Sequence, residues 1–191
     1  MITVVIPSIP TRTHLLERAL ASVEAQTWQF QDVIVEFDYD RLGAAVTRQR
    51  GLEKVETPWV AFLDDDDEFK PQHLEMLSVA ARAADADFVY SWYDVVGGTD
   101  PRPEVFGKVW DPNHPVQTTI TTLVRTDLAR DVGGFVDEDD GNLLSPDRHY
   151  AGEDWRFTKR VNDAGAKIHH LPQRTWRWHH HGHNTSGLPN W

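Results

Sequence analysis

The residues best suited to chemistry form a run of acids, Asp64-Asp65-Asp66-Asp67-Glu68, directly after the apolar stretch WVAFL at 59–63. Carboxylates packed this closely repel one another and raise one another's pKa unless a cation neutralises them. An all-oxygen cluster suits a hard ion such as Mg2+ or Mn2+. The plainer explanation is a solvated acidic turn whose acids favour the next helix N-terminus. Position decides between the two, because acids emerging at the carboxyl end of a buried strand stand where open α/β sheets bind ligands. A second acidic pair, Glu153-Asp154, follows Gly152 and suits either a helix N-terminus or proton transfer. Six of the ten histidines lie in residues 169–183, and His179, His181 and His183 share a side if that segment is extended. There is no cysteine, which removes thiolate catalysis, disulfides and Cys-based metal centres, and no Ser-His-Asp arrangement is visible.

These residues need elements to hold them. Ile2 to Ile6 is a β-branched apolar run stopped by Pro7 and reads as a buried strand. From Thr13 to Gln26, Leu15, Leu16, Ala19, Leu20 and Val23 fall on one helical face, with Thr13 as the expected N-cap. Asp32 to Phe37 repeats the strand signature, Gly43 to Val55 suits a helix carrying Arg48 and Arg50, and Trp59 to Leu63 is a third strand. Pro71 is expected at a first helical position, ahead of a stripe of Leu74, Leu77, Ala81 and Ala84, and Phe88 to Trp92 closes the series. Strands alternating with helices imply βαβ units, right-handed crossovers and a mostly parallel twisted sheet.

The second half is less regular. Val95 to His114 reads as loops or a hairpin, Thr118 to Val124 as a strand, and the segment after it as a short helix stopped by Gly133-Gly134. Val136 to Tyr150 reads as an acidic loop, Gly152 to Ala164 as a helix ended by Gly165, and Ala166 to Leu171 as extended chain. The tail is crowded with Trp and His.

Composition sets the outer limits. One hundred and ninety-one residues suit one hydrophobic core, so a single domain is expected, with a ligand-binding half at 1–92 and a second half at 93–191. Hydrophobic residues at 40% and charged residues at 26% are ordinary for a folded chain. A formal charge of -11 repels polyanions and argues against duplex nucleic acid and anionic membranes. No stretch approaches the roughly 20 apolar residues of a membrane span, and the start lacks the pattern of a signal peptide. A soluble, cytoplasmic protein is the expectation.

Four segments together resemble a known family, the family 2 nucleotide-sugar-dependent glycosyltransferases of GT-A fold. VVIPSIPTRTHLLERALASVEAQTW resembles that family's first strand, loop and helix, and GAAVTRQRG its glycine and arginine stretch. FLDDDDEFKP resembles its metal-binding Asp-x-Asp segment, and GGFVDE followed by GEDW its acceptor-side motifs. The matches keep the family's order from residue 2 to about 157.

The resemblance implies roles residue by residue. Asp64 and Asp66 match the two aspartates of Asp-x-Asp, which hold the metal and the donor's ribose and diphosphate, with Asp65 between them on the donor side. Pro7 and Ser8 match the loop along the nucleoside, and Arg48 the arginine that approaches the donor. Asp38 matches an acid that reaches the nucleobase, although Phe37 stands where a first acid is usual and Asp38 serves equally well as a turn former. Asp154 matches the base that takes the acceptor's proton, with Glu153 beside it and Trp155 placed to stack on an acceptor sugar. Several GT-A enzymes add a C-terminal histidine to the metal, which points to His179 or His181. Mn2+ or Mg2+ is the implied cofactor, a nucleotide-diphosphate sugar the implied donor, and inversion by single displacement the implied course. The acceptor stays open between glycan, protein and small molecule. The chain is short for the family, which implies a minimal version of it.

Rival classes fit less well. A nucleotidyltransferase would want a glycine-rich phosphate loop after the first strand, and PSIPTRTH has no glycine. An aspartyl phosphotransferase or phosphatase would carry its acids after the first strand, whereas here they follow the third. A non-catalytic metal-dependent carbohydrate- or nucleotide-binding module would keep the acidic run without turnover.

Overall fold

A computed structural model describes residues 1–28, 31–113, 118–135 and 152–180. The elements, in chain order, are β1 (Ile2–Ser8), a 3-10 turn (Pro10–Arg12), α1 (Thr13–Glu24), β2 (Gln31–Phe37), α2 (Ala44–Glu53), β3 (Trp59–Phe62) and β4 (Glu68–Phe69). They continue with α3 (His73–Ala84), β5 (Phe88–Val96), β6 (Thr122–Arg125), α4 (Thr126–Asp131), α5 (Glu153–Asp163) and β7 (Ile168–His179). All seven strands join one sheet in the order β2-β1-β3-β6-β5-β7-β4. β1 runs parallel to β2 and β3, and β5 parallel to β7, while β6 and β4 pair antiparallel with their neighbours. Five of the seven described strands therefore point one way, and only β6 and β4 run against them.

Alternation along each strand builds two cores. Val4, Ile6, Ala61, Leu63 and Val89 face one layer, with Leu16, Ala19 and Val23 of α1 and Leu74 and Leu77 of α3. Val5, Val60, Phe62, Phe88 and Tyr90 face the other, with Leu52 of α2, Ala129 of α4 and Phe157 and Val161 of α5. Both sheet faces are covered, so the central strands read as continuous apolar runs. Gly51 lets α2 lie close on β1, since a Cβ there would stand 2.4 Å from Val5 Cγ1.

Several end signals act as read, and others do not. α5 stops at Gly165, whose φ is +77°, with the Gly165 N–H donating to Asn162 O and the Ala166 N–H to Val161 O. Gly133 and Gly134 end α4 in the same way. Thr13, expected as an N-cap, is instead the first helical residue, and its hydroxyl donates to Pro10 O. Pro71 lies two residues before α3 rather than inside it, because Pro71 and Gln72 form the turn leading out of β4. Larger differences lie in the second half. β5 runs on to Val96, β6 begins only at Thr122, and β7 continues through the aromatic tail to His179. The two-residue strand β4, absent from the sequence reading, pairs Glu68 with Arg177 and Phe69 with Trp176. No helix among the described residues is long and apolar enough to cross a membrane.

Candidate active site

β1 and β2 end together, with Ser8 beside Phe37, and parallel β3 ends a few residues earlier on the same edge, where the Leu63 N–H donates to Val5 O. β7 ends at this edge too, with His179 beside Val96. The acidic run leaves β3 there and is tied down on several sides. Ser8 Oγ donates to Asp65 at 2.7 Å, the Asp67 N–H donates to Asp64 O, and the His179 N–H donates to Asp67 Oδ1 at 2.9 Å. β4 then pins the run's far end to β7. Asp65, Asp66 and Asp67 are buried, at 2%, 7% and 3% exposure, so the solvated-turn explanation does not describe them.

Three carboxylates converge. One oxygen each from Asp64, Asp66 and Asp67 lies within 4.8 Å of the others, an all-oxygen donor set that fits a hard divalent cation. Burial pushes Asp64 up, against the opposing charge of Arg48 and with that of Asp66. Burial likewise raises Asp65, and raises Asp67 well above the usual carboxylate value, aided by the charges of Asp64 and Asp66. The cluster is thus under-neutralised by the protein alone.

Arg48 links this cluster to α5. Buried in α2, it places Nη2 2.5 Å from Asp64 Oδ1 and pairs through Nη1 with Glu153. Burial would lower its pKa, but Asp64 and Glu153 hold it above the usual guanidinium value. Burial raises Glu153, but Arg48, a backbone N–H and Arg156 together bring it below its usual value. Asp154 behaves oppositely: burial and the Glu153 charge push it up to about 6, against the Trp155 N–H donated to its Oδ1. Gly152, which precedes the pair, has no side chain and leaves room beside the backbone. In the structure that room is filled by Asp154, since a Cβ at 152 would stand 2.4 Å from Asp154 Oδ1. The N-terminus of α5 is seated by Phe157 against Phe62 and Phe135, and by Arg160 donating to Val132 O and Gly134 O.

The remaining candidates fall at varying distances from this centre. Pro7 and Ser8 end β1 beside the acidic run, and both are buried. Asp38 is buried, and its two oxygens accept the Leu42 and Gly43 N–H groups, so it closes the loop after β2 as a turn former. Burial would raise its carboxyl, and those two donors with Arg50 bring it below the usual value. Trp155 is half-buried next to Asp154. His179 reaches the acidic run through its backbone, with Nε2 3.3 Å from Glu68 Oε2. His181 lies outside the described residues. The sequence reading counted Asp67, the third converging carboxylate, in the acidic run without a role of its own, and it overlooked Arg12, which bridges Asp65 and Asp66. Asp67 was discoverable as the next acid in the run, and Arg12 as the first cation after β1 at the ligand-binding edge.

Comparison with known structures places this architecture among GT-A-like glycosyltransferase folds. S. aureus TarS 1-349 in complex with UDP-GlcNAc superposes with a TM-score of 0.78 at 17% identity, over 97% of this chain and 60% of that one. The same protein in complex with UDP gives 0.72 at 16% identity, over 94% and 60%. TarS without that boundary gives 0.72 at 16%, over 94% of this chain and 36% of that one. The chain spans about 60% of the length of the TarS 1-349 structures. Residues 29–135, more than half of the sequence, match Glycosyl transferase family 2, and the chain belongs to that family. That match takes in Arg48 and the acidic run and ends before Glu153 and Asp154. No curated protein matches the chain in sequence.

Proposed function

We propose that the chain is a metal-dependent, inverting glycosyltransferase that moves a sugar from a nucleotide-diphosphate donor to an acceptor hydroxyl. The observation that carries this reading is the pairing of two unlike acidic groups across Arg48: a convergent carboxylate cluster on one side, and Asp154 with its pKa near 6 on the other. Asp64, Asp66 and Asp67 would hold Mn2+ or Mg2+, whose chemistry is to stabilise the charge gathering on a departing diphosphate. TarS has been crystallised with UDP and with UDP-GlcNAc, which supports a uridine nucleotide sugar among the donors to be tried first.

The protein's own residues divide the work. Ser8 and Asp65 line the donor side, and Asp38 shapes the loop beside the nucleobase by accepting the Leu42 and Gly43 N–H groups. Arg48 holds Asp64 and Glu153 in register, so the donor and acceptor sides share one rigid hinge-pin. The acceptor oxygen attacks the anomeric carbon as the bond to the diphosphate oxygen breaks, and its proton passes to Asp154. One displacement inverts that carbon and needs no covalent sugar–enzyme species. Trp155 offers an indole face to an acceptor sugar, and His179 or His181 would supply a further ligand to the metal.

Incubation with Mn2+ and a panel of nucleotide sugars tests the reading. Slow donor hydrolysis that disappears in Asp66→Ala supports a transferase. Donor binding without any turnover, in the presence of candidate glycan, protein and small-molecule acceptors, would leave a binding module instead.

A further inference from the structure

Arg12 has no task in the scheme above. It lies in the 3-10 turn between β1 and α1, at the edge where the acidic run emerges. Its guanidinium forks across two neighbouring carboxylates, with Nη1 2.9 Å from Asp65 Oδ1 and Nη2 2.5 Å from Asp66 Oδ2. The partners differ in exposure: the Asp65 and Asp66 side chains are 2% and 10% exposed, that of Arg12 31%. The acids are fixed parts of the site floor, and the arginine covers them from the solvent side. Asp65 also accepts a hydrogen bond from Ser8 Oγ at its other oxygen, so it keeps one partner if the guanidinium leaves. Asp66 is also one of the three carboxylates that converge as a cation site.

A guanidinium and a divalent ion repel each other when they crowd the same carboxylate. We propose that Arg12 is a built-in counter-ion of the acidic run, which a divalent cation displaces from Asp66 and which then turns to the donor's diphosphate. This inference rests on the glycosyltransferase reading and adds to it a coupling between metal and nucleotide. The guanidinium fork matches phosphate oxygens as well as it matches carboxylates, and its long, partly exposed side chain can change partners. Metal alone breaks the Arg12–Asp66 pair and leaves the guanidinium its Asp65 contact. Metal arriving with a diphosphate gives the released guanidinium a new partner, so each ligand strengthens the other, and linkage makes the effect reciprocal.

Isothermal titration of Mn2+ into the wild type, Arg12→Gln and Arg12→Lys tests this, each with and without uridine or guanosine diphosphate, whichever the wild type binds. Arg12→Gln is expected to bind Mn2+ alone about tenfold more tightly, while the gain in Mn2+ affinity from the nucleotide shrinks about tenfold. Arg12→Lys, which keeps the charge and loses the fork, falls between. Unchanged or weaker Mn2+ binding by Arg12→Gln overturns the inference and leaves the glycosyltransferase reading standing. A wild type that binds no Mn2+ with or without nucleotide overturns both. If Arg12→Gln is too unstable for titration, the rise in its melting temperature on adding Mn2+ is compared with the wild type's, each against its own metal-free value. A larger rise supports the counter-ion role, and an equal or smaller one overturns it.

Discussion

At the scale of single residues, Asp154 carries a charge that is unfavourable in the fold and that the proposed reaction would use. Its folded pKa of about 6 lies above the ordinary value of 3.8. The carboxyl therefore costs nothing below the unfolded value, and the penalty grows as pH rises through 6. Asp154→Asn is expected to raise stability at pH 7.5 by about 1–3 kcal/mol and to leave it unchanged near pH 3.5, read from urea unfolding at both pH values. The same variant should lose about 100- to 10,000-fold in turnover, and wild-type turnover should fall as pH drops below about 6. Gly152→Ala should also lose activity while the protein stays folded, because the added methyl meets the Asp154 carboxylate; a kcat assay beside a melting curve checks it. Much of this centre was legible in sequence, since a run of acids after an apolar strand and a Gly-Glu-Asp at a helix start are local patterns. The Arg12–Asp66 and Arg48–Glu153 pairings were not, because each joins residues distant in sequence whose side chains meet only through the fold.

Among the elements, α2 is the part whose seating governs the site. Gly51 sets its distance from β1, and Arg48 projects from the same helix one turn earlier. Gly51→Ala should destabilise by about 1–3 kcal/mol through overpacking against Val5. Val5→Ala should relieve part of that cost, giving a clearly non-additive double-mutant cycle in chemical denaturation. The first three strands and three helices were readable because β1 and β3, buried on both faces, are continuous apolar runs, and because β2 and the helices carry clear β-branched or helical apolar patterns. β4 was not, since two residues carry no period. The full length of β7 was hidden because Pro172 and a mixture of His, Arg and Trp look irregular until β5 and β4 flank them.

For the whole molecule, two opposed titrations set how stability varies with pH. His73 and His170 are buried and held neutral, with pKa values pushed by burial to about 3 and about 4. They contribute stability above the unfolded value of 6.5, and that contribution is lost as pH falls below it. Asp64, Asp65 and Asp67, all raised, act the other way and cost stability as pH climbs. Metal-free melting temperature should therefore peak between these limits and decline on both sides. Mn2+ should lift the alkaline side far more than the acid side, because ionised carboxylates are what it binds; differential scanning calorimetry with EDTA or Mn2+ from pH 5 to 8.5 checks this.

β7 is sandwiched between β5 and β4, and its last residue donates to Asp67. A strand synthesised late thus occupies an interior slot of the sheet. On the ribosome, the acidic rim stays incomplete until residue 179 has cleared the exit tunnel, so the proposed capture of an ion is expected only after β7 has docked. Stalled chains ending at residue 135 should show no Mn2+ affinity, even though they contain every converging aspartate.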